Sequence, residues 1–192
     1  LFSYVLPAWE RGQIPALVHR SVQAQQQHAR LALALLDPAQ TSDVRWRLAR
    51  REVYESLSAL TQATQRTLAE PRQVRPPLQP LEALQARSYQ LLAQLTAIKS
   101  LLLLRRAQLD LDVALPALQQ ASRDIDAALA GSPETPVQPP TADTPGTAGQ
   151  PFQPRPDPLL AHDLTPWLLR RLTLATAMAR ELRQAELLVL RG

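Results

Sequence analysis

Apolar positions recur at intervals of three and four along most of the chain, and nowhere do they alternate in twos for long. That period suits helices burying one stripe each, and it predicts an all-α fold without a sheet. In the first helix, Ile14, Leu17, Ser21, Ala24, His28, Leu31 and Leu35 share a face, with Pro15 in the opening turn and Asp37-Pro38 at the end. The middle of that stripe is weak. The second helix starts at a Thr41 to Asp43 cap and carries Trp46, Ala49, Val53, Leu57, Leu60, Thr64 and Leu68 to a stop at Glu70-Pro71. A stiff loop with four prolines, residues 71–80, comes next. The third helix, Leu81 to about Arg106, has the cleanest stripe: Leu81, Leu84, Ser88, Leu91, Leu95, Ile98 and Leu102. Further leucines cover its other sides, so it is expected at the centre. A fourth, from Asp112 to Ala130, places Leu115, Leu118, Ser122, Ile125 and Leu129 in phase, with Pro116 blurring its start and Gly131 stopping it. The last opens on Thr165-Pro166 as N-cap and first turn and runs to about Arg191 through Leu168, Leu172, Ala175, Met178, Leu182 and Val189.

These elements predict an elongated antiparallel helical bundle of four to five long helices, with Leu91, Leu95, Ile98 and Leu102 in its middle. Residues 131–158 are different material. Nine of the 18 prolines fall in these 28 residues, and only Val137 and Phe152 are large and apolar. Such a stretch buries too little to offset its ordering cost, which predicts a disordered or extended linker. A ligand for a proline-recognising domain is the alternative, disfavoured because no PxxP register with basic flanks stands out. The organisation expected is therefore an N-terminal segment 1–10, a bundle 11–130, a Pro-rich linker 131–158, and a C-terminal helix within 159–192 that packs back on the bundle.

The opening, LFSYVLPAWE, is apolar and aromatic and has no Met at its head. It reads either as a hydrophobic staple closing the bundle or as the exit from a transmembrane helix, with Tyr4 and Trp9 at the interface and Arg11, Arg20 and Arg30 following on the cytoplasmic side. No window offers about 18 consecutive apolar residues, so a complete span is not expected within these residues.

Composition narrows the chemistry. Cysteine is absent, which removes disulfides, thiol nucleophiles and thiolate metal sites. The formal net charge is +4, carried almost wholly by arginine, with Lys99 the only lysine. Residues 41–107 hold eleven basic and five acidic side chains, whereas 108–158 hold two and seven. Those halves pair within the fold or offer a surface to an anionic partner. His19 and His28 are nine apart, off the spacing for metal ligands on one helix face, and five scattered glycines make no phosphate loop. Asp110 with Asp112, and Asp124 with Asp126, look like helix-end and solvated charge. No catalytic residue, metal or cofactor is therefore expected, and Lys99 in its leucine-rich setting makes a poor anion-binding residue for a helical mutase. The run RWRLARR gathers Arg45, Arg47, Arg50 and Arg51, but on a helix these point several ways, with Glu52 and Glu55 in reach. That argues for a self-neutralised face over specific nucleic-acid binding.

The aromatic-Arg-Leu-Ala-Arg-Arg run from Trp46 to Arg51, Leu57-Ser58, and the Leu-Ala-Glu-Pro stop from Leu68 to Pro71 resemble the C-terminal cytoplasmic region of the fusaric acid resistance (FUSC) family, the YccS-like inner-membrane proteins and aromatic-acid exporters. LEALQARSYQLLAQLTAI after the loop and the opening LFSYVLPAWE are similar to the matching parts of those proteins. Glu52-Val53 departs from them, since many relatives carry a small-polar pair there. The resemblance reaches from Leu1 to about Arg106. It implies a cytoplasmic domain of a bacterial inner-membrane efflux transporter for small organic or aromatic acids, with an assembly or regulatory role and its own transmembrane region as partner. A homo-oligomer is compatible with that role. Trp46, Arg50, Arg51 and Glu70 are the residues it singles out, as structural or interaction positions. A free-standing helical adaptor, or a ligand-sensing helical domain, are the competing expectations.

Overall fold

A computed structural model describes residues 7–34, 44–67, 78–131 and 163–191, with side chains from Gly12 onward. Among these residues the protein is five α-helices and one 3-10 turn, without a strand. The helices are α1 (Pro7–Leu33), α2 (Val44–Thr67), α3 (Leu78–Leu104), α4 (Leu111–Ala130) and α5 (Thr165–Arg191), with the 3-10 turn at Arg106–Gln108. The all-α bundle is as expected. None of the described helices is long and apolar enough to cross a membrane. The Thr41 to Asp43 cap, Glu70 with its proline stop, and the Pro-rich stretch 132–162 lie outside the described residues.

Several boundaries differ from the sequence expectation. α1 begins at Pro7, so Pro15 is a helix-interior residue and not an opening one. Its ring lies on an exposed side, where the price is one missing intrahelical bond. α3 begins at Leu78, taking Pro80 into its first turn, where backbone donors have no intrahelical acceptor in any case. α4 is capped by Asp110, whose Oδ1 accepts from the Asp112 amide at 3.1 Å, and it ends on Gly131 in the left-handed region at φ 74°. α5 is not capped by Thr165. The Asp163 carboxylate accepts from the Thr165 amide at 2.9 Å, and the Thr165 side chain first, then that amide, hold the carboxyl below the usual range. The Thr165 hydroxyl instead accepts from the Asp110 amide at 2.8 Å, and the Leu164 amide donates to the Gln108 carbonyl at 2.8 Å. The starts of α4 and α5 are thus stapled together.

Side-chain pairs fix the directions. His28 meets Trp46 while Arg20 meets Glu52, so α2 runs antiparallel to α1. Arg87 meets Glu181 and Gln94 meets Arg171, so α5 runs antiparallel to α3. Arg30 and Leu33 of α1 lie beside Asp126 and Leu118 of α4 respectively, an antiparallel pair. α4 and α5, by contrast, run side by side in one direction, joined at Asp110–Thr165 and again at Gly131–Arg183. Two parallel helices of this length cannot be joined by a tight turn, because the chain must travel back roughly 30 Å for the 20 residues of α4. The long Pro-rich segment falls at that connection.

α1, α3, α4 and α5 form a ring around the main core, which includes Leu91, Leu95, Ile98 and Leu102, all buried as expected. α2 packs outside the ring on α1 and α3, over a small second cluster of Ala24, Val53, Leu57 and Leu92. The expected central role of α3 is shared, since α1 touches all four other helices. On α4 the buried stripe is Ala114, Leu118, Ala121, Ile125, Ala128 and Leu129. Leu118, Ile125 and Leu129 are buried as expected, whereas Leu115 is 38% exposed and Ser122 half-buried, a correction of the expected stripe at those two positions. The reason is steric: α4 lies against both α1 and α5, and alanines at 114, 121 and 128 allow that close approach. Leu115 lines a groove of about 410 Å³ with Leu33, Ala34 and Leu118, where α1 reaches its last turn.

Candidate functional site: a polar seam along the first helix

The weak middle of the α1 stripe is where polar chemistry enters the core. Ser21, Gln25 and His28 succeed one another at helical spacing and are fully buried. Gln25 Nε2 donates to the Ser88 carbonyl of α3 at 2.8 Å. The Trp46 indole Nε1–H donates to His28 Nε2 at 3.1 Å, and the two rings stack at 6.3 Å between centroids. As Nε2 is an acceptor, the neutral ring carries its proton on Nδ1. Burial first, then the charges of Arg50 and Lys99, push the His28 pKa down to about 4, so the ring is uncharged at neutral pH. Ser21 Oγ, Gln25 Oε1, His28 Nδ1 and Ser88 Oγ have no partner among the described residues, and all four are buried along the same seam. Buried groups of this kind are completed by ordered water in folded proteins.

Charges cap and cross-brace the seam. Lys99 is 1% exposed, and its Nζ donates to the carbonyls of Leu31 at 3.0 Å and Ala34 at 3.1 Å. It therefore satisfies acceptors at the C-terminal end of α1, where the helix dipole favours a cation. At the other end Glu186 of α5, also 1% exposed, accepts from Arg183 Nη1 at 2.6 Å and lies 3.2 Å from His19 Nδ1. On the outer side of α1, Arg30 donates to both oxygens of Asp126 at 2.6 and 3.0 Å, and Gln26 adds a bond of 2.8 Å. The Arg30 guanidinium and the Gln26 amide hold the Asp126 carboxyl below the usual range.

The residues singled out from the sequence separate here. Trp46 joins the seam through His28, and Arg50 stacks over it, its guanidinium carbon 5.7 Å from the Trp46 ring and 5.8 Å from the Tyr54 ring. Arg51 points away to solvent and pairs with Glu55 at 2.6 Å. Glu70 lies outside the described residues. His28, placed on the apolar face of α1 by its spacing, is a buried core residue bonded to Trp46. Sequence reasoning did not foresee the partners Glu186, Asp126, Gln25 and Ser88. A lone lysine amid leucines was the only local hint of Lys99's role. No three His, Asp or Glu side chains converge among the described residues. The seam's donors and acceptors link one helix to another, so what the arrangement does chemically is fix the relative register of α1, α2 and α3.

Scans of the sequence and fold against family models, curated proteins and solved structures find no match.

Proposed function

We propose that this chain is a non-catalytic helical domain, on the cytoplasmic side, of a bacterial inner-membrane efflux transporter of the FUSC type, where it serves assembly or regulation. The observation that carries this reading is the placement of the motif behind the resemblance. Trp46 to Arg51 is a clasp: Trp46 bonds to α1, Arg50 covers Trp46 and Tyr54, and Arg51 braces α2 through Glu55. That clasp closes the α1–α2 hairpin, the first one after the apolar, aromatic opening. A second support is that α1 already begins at Pro7, inside that opening, and carries Arg20 and Arg30 further on. This order matches a cytoplasmic flank. A hairpin that is rigid and directly downstream of a membrane exit suits transmission of a position or a subunit contact.

The test is topology in the complete protein. A reporter active only in the cytoplasm, fused after Gly192, is expected to be active, and the upstream reading frame to encode apolar spans. Periplasmic placement of the fusion, or an upstream frame without spans, refutes the tethered reading and leaves the free-standing adaptor. The transported acid is expected to be a small organic or aromatic one, as the resemblance implies.

A further inference from the structure

The outer side of the first three turns of α2, on the same run that carries the resemblance, is a surface that packing within the bundle leaves uncovered. Because α2 lies outside the four-helix ring, it has a full face turned away from α1 and α3. Val44, Leu48 and Arg51 follow one another on that face at spacings of four and three. Val44 is 51% exposed and Leu48 is 60% exposed, and large aliphatic side chains on a hairpin otherwise well packed are a liability unless covered. Around them stand Arg45 and Arg47, with Arg50 held upright by its stacking between Trp46 and Tyr54. Counting Arg20, which pairs with Glu52, five arginines meet two glutamates, Glu52 and Glu55, among the described residues of this region. The first turn of α2 holds no acidic residue, so the positive end of its dipole adds to the same field.

We propose that this face docks a short acidic segment of another protein that also presents an apolar anchor, the carboxylates meeting Arg45, Arg47 and Arg51 while the anchor lies between Val44 and Leu48. Charge complementarity selects the sign of the partner, and the exposed aliphatic pair selects its amphipathic character. A phosphate ion leaves Val44 and Leu48 uncovered. A nucleic-acid backbone likewise leaves the aliphatic pair uncovered. A lipid surface is excluded by distance, a step that rests on the tethered reading. α2 starts level with the end of α1, as His28 and Trp46 show, so the face lies about 30 Å or more along α1 from its start. Screening at physiological salt limits attraction to about 8 Å.

The experiment uses the whole chain, labelled for amide NMR, with a synthetic helical peptide of Glu and Leu as probe. The expected result is shifts confined to residues 44–55, none with the peptide carrying Lys for Glu, and an affinity reduced about tenfold by Arg51→Glu and a few-fold by Leu48→Ala. Glu55→Gln, which frees Arg51 from its own carboxylate, is expected to tighten binding a few-fold. All three changed side chains are exposed, so folding is retained. The proposal is overturned if neither peptide shifts these residues, if both peptides do so equally, or if Leu48→Ala leaves the affinity unchanged. It is also overturned if vesicles of phosphatidylglycerol and phosphatidylethanolamine, or short duplex DNA, engage the same face more tightly than the acidic peptide. Since the peptide arm needs no membrane, its outcome is independent of the topology reporter.

Discussion

Gly131→Ala joins two distant features in one substitution. Gly131 ends α4 at φ 74°, a conformation that costs an L residue about 1–2 kcal/mol. A methyl group there meets Arg183 Nη2 at 2.3 Å and Cζ at 2.9 Å, too close to stand. The obstructing atoms belong to the end of a flexible side chain, which by itself makes the clash cheap. This end is anchored, however: Arg183 Nη1 donates to the buried Glu186 carboxylate at 2.6 Å. Moving the guanidinium strips that carboxylate of a charge-assisted bond worth about 1.5–3 kcal/mol. The expected total is about 2.5–5 kcal/mol, or a thermal midpoint lowered by roughly 5–20 °C for a chain of this size. The assay is denaturant unfolding of Gly131→Ala, Arg183→Met and the double variant. In the Arg183→Met background the glycine substitution is expected to cost only its backbone share, about 1–2 kcal/mol. If instead the two changes add to within about 0.5 kcal/mol, the contact between Gly131 and Arg183 has no energetic meaning and the reasoning is wrong.

Other outcomes follow from the core and the seam. Leu95→Ala, at a position with no exposed area, is expected to cost about 2–5 kcal/mol in denaturant unfolding. Trp46→Phe keeps the ring but removes the donor to His28, leaving a second buried nitrogen unpartnered, and should cost about 1–3 kcal/mol. His28 has a folded pKa lowered from 6.5 to about 4, so the unfolded chain binds the extra proton first as pH falls. Stability is therefore full above about pH 6.5 and declines by up to roughly 3 kcal/mol as pH drops to about 4. Replacing His28 by Gln should flatten that slope in urea melts between pH 7 and 4. Asp126, whose pKa is depressed by Arg30, contributes in a lower window, since its stabilisation is lost as pH falls below 3.8. Asp126→Asn at neutral pH should cost about 1 kcal/mol or less, because Arg30 is half-exposed and salt screens the pair.

The helical class, the faces of α2 and α3, and the stop at Gly131 were all legible from the sequence, because each is a local property. Periodicity of 3.6 is written into consecutive residues, and a glycine after an apolar stripe needs only its own backbone freedom to end a helix. The stripes of α2 and α3 were read correctly wherever they are described because every position on them is buried at helical spacing. On α4 Leu118, Ile125 and Leu129 were read correctly, while Leu115 and Ser122 yield to Ala114 and Ala121 for an equally physical reason. This helix faces two others at once, and alanine, which hydrophobicity alone ranks below leucine, wins where backbones approach closely. Proline was over-read as a boundary. Pro15 and Pro116 each remove one hydrogen bond from an exposed side of a helix that tertiary packing holds together regardless.

What the chain could not reveal by itself is which distant groups meet. Gln25 with Ser88, Arg30 with Asp126, Lys99 with the end of α1, and Arg183 with Gly131 are separated by 52 to 96 residues, and no local pattern encodes them. Composition supplied their charges, but only the central place of α1, against α3 on one side and α5 on another, turned Lys99 and Glu186 into buried, paired groups. The sequence thus determined helices and their greasy sides through short-range periodicity. The tertiary structure decided direction, register and the fate of buried polar groups such as Gln25, His28 and Lys99, because in a dry interior such a group is stable where a partner from another helix arrives.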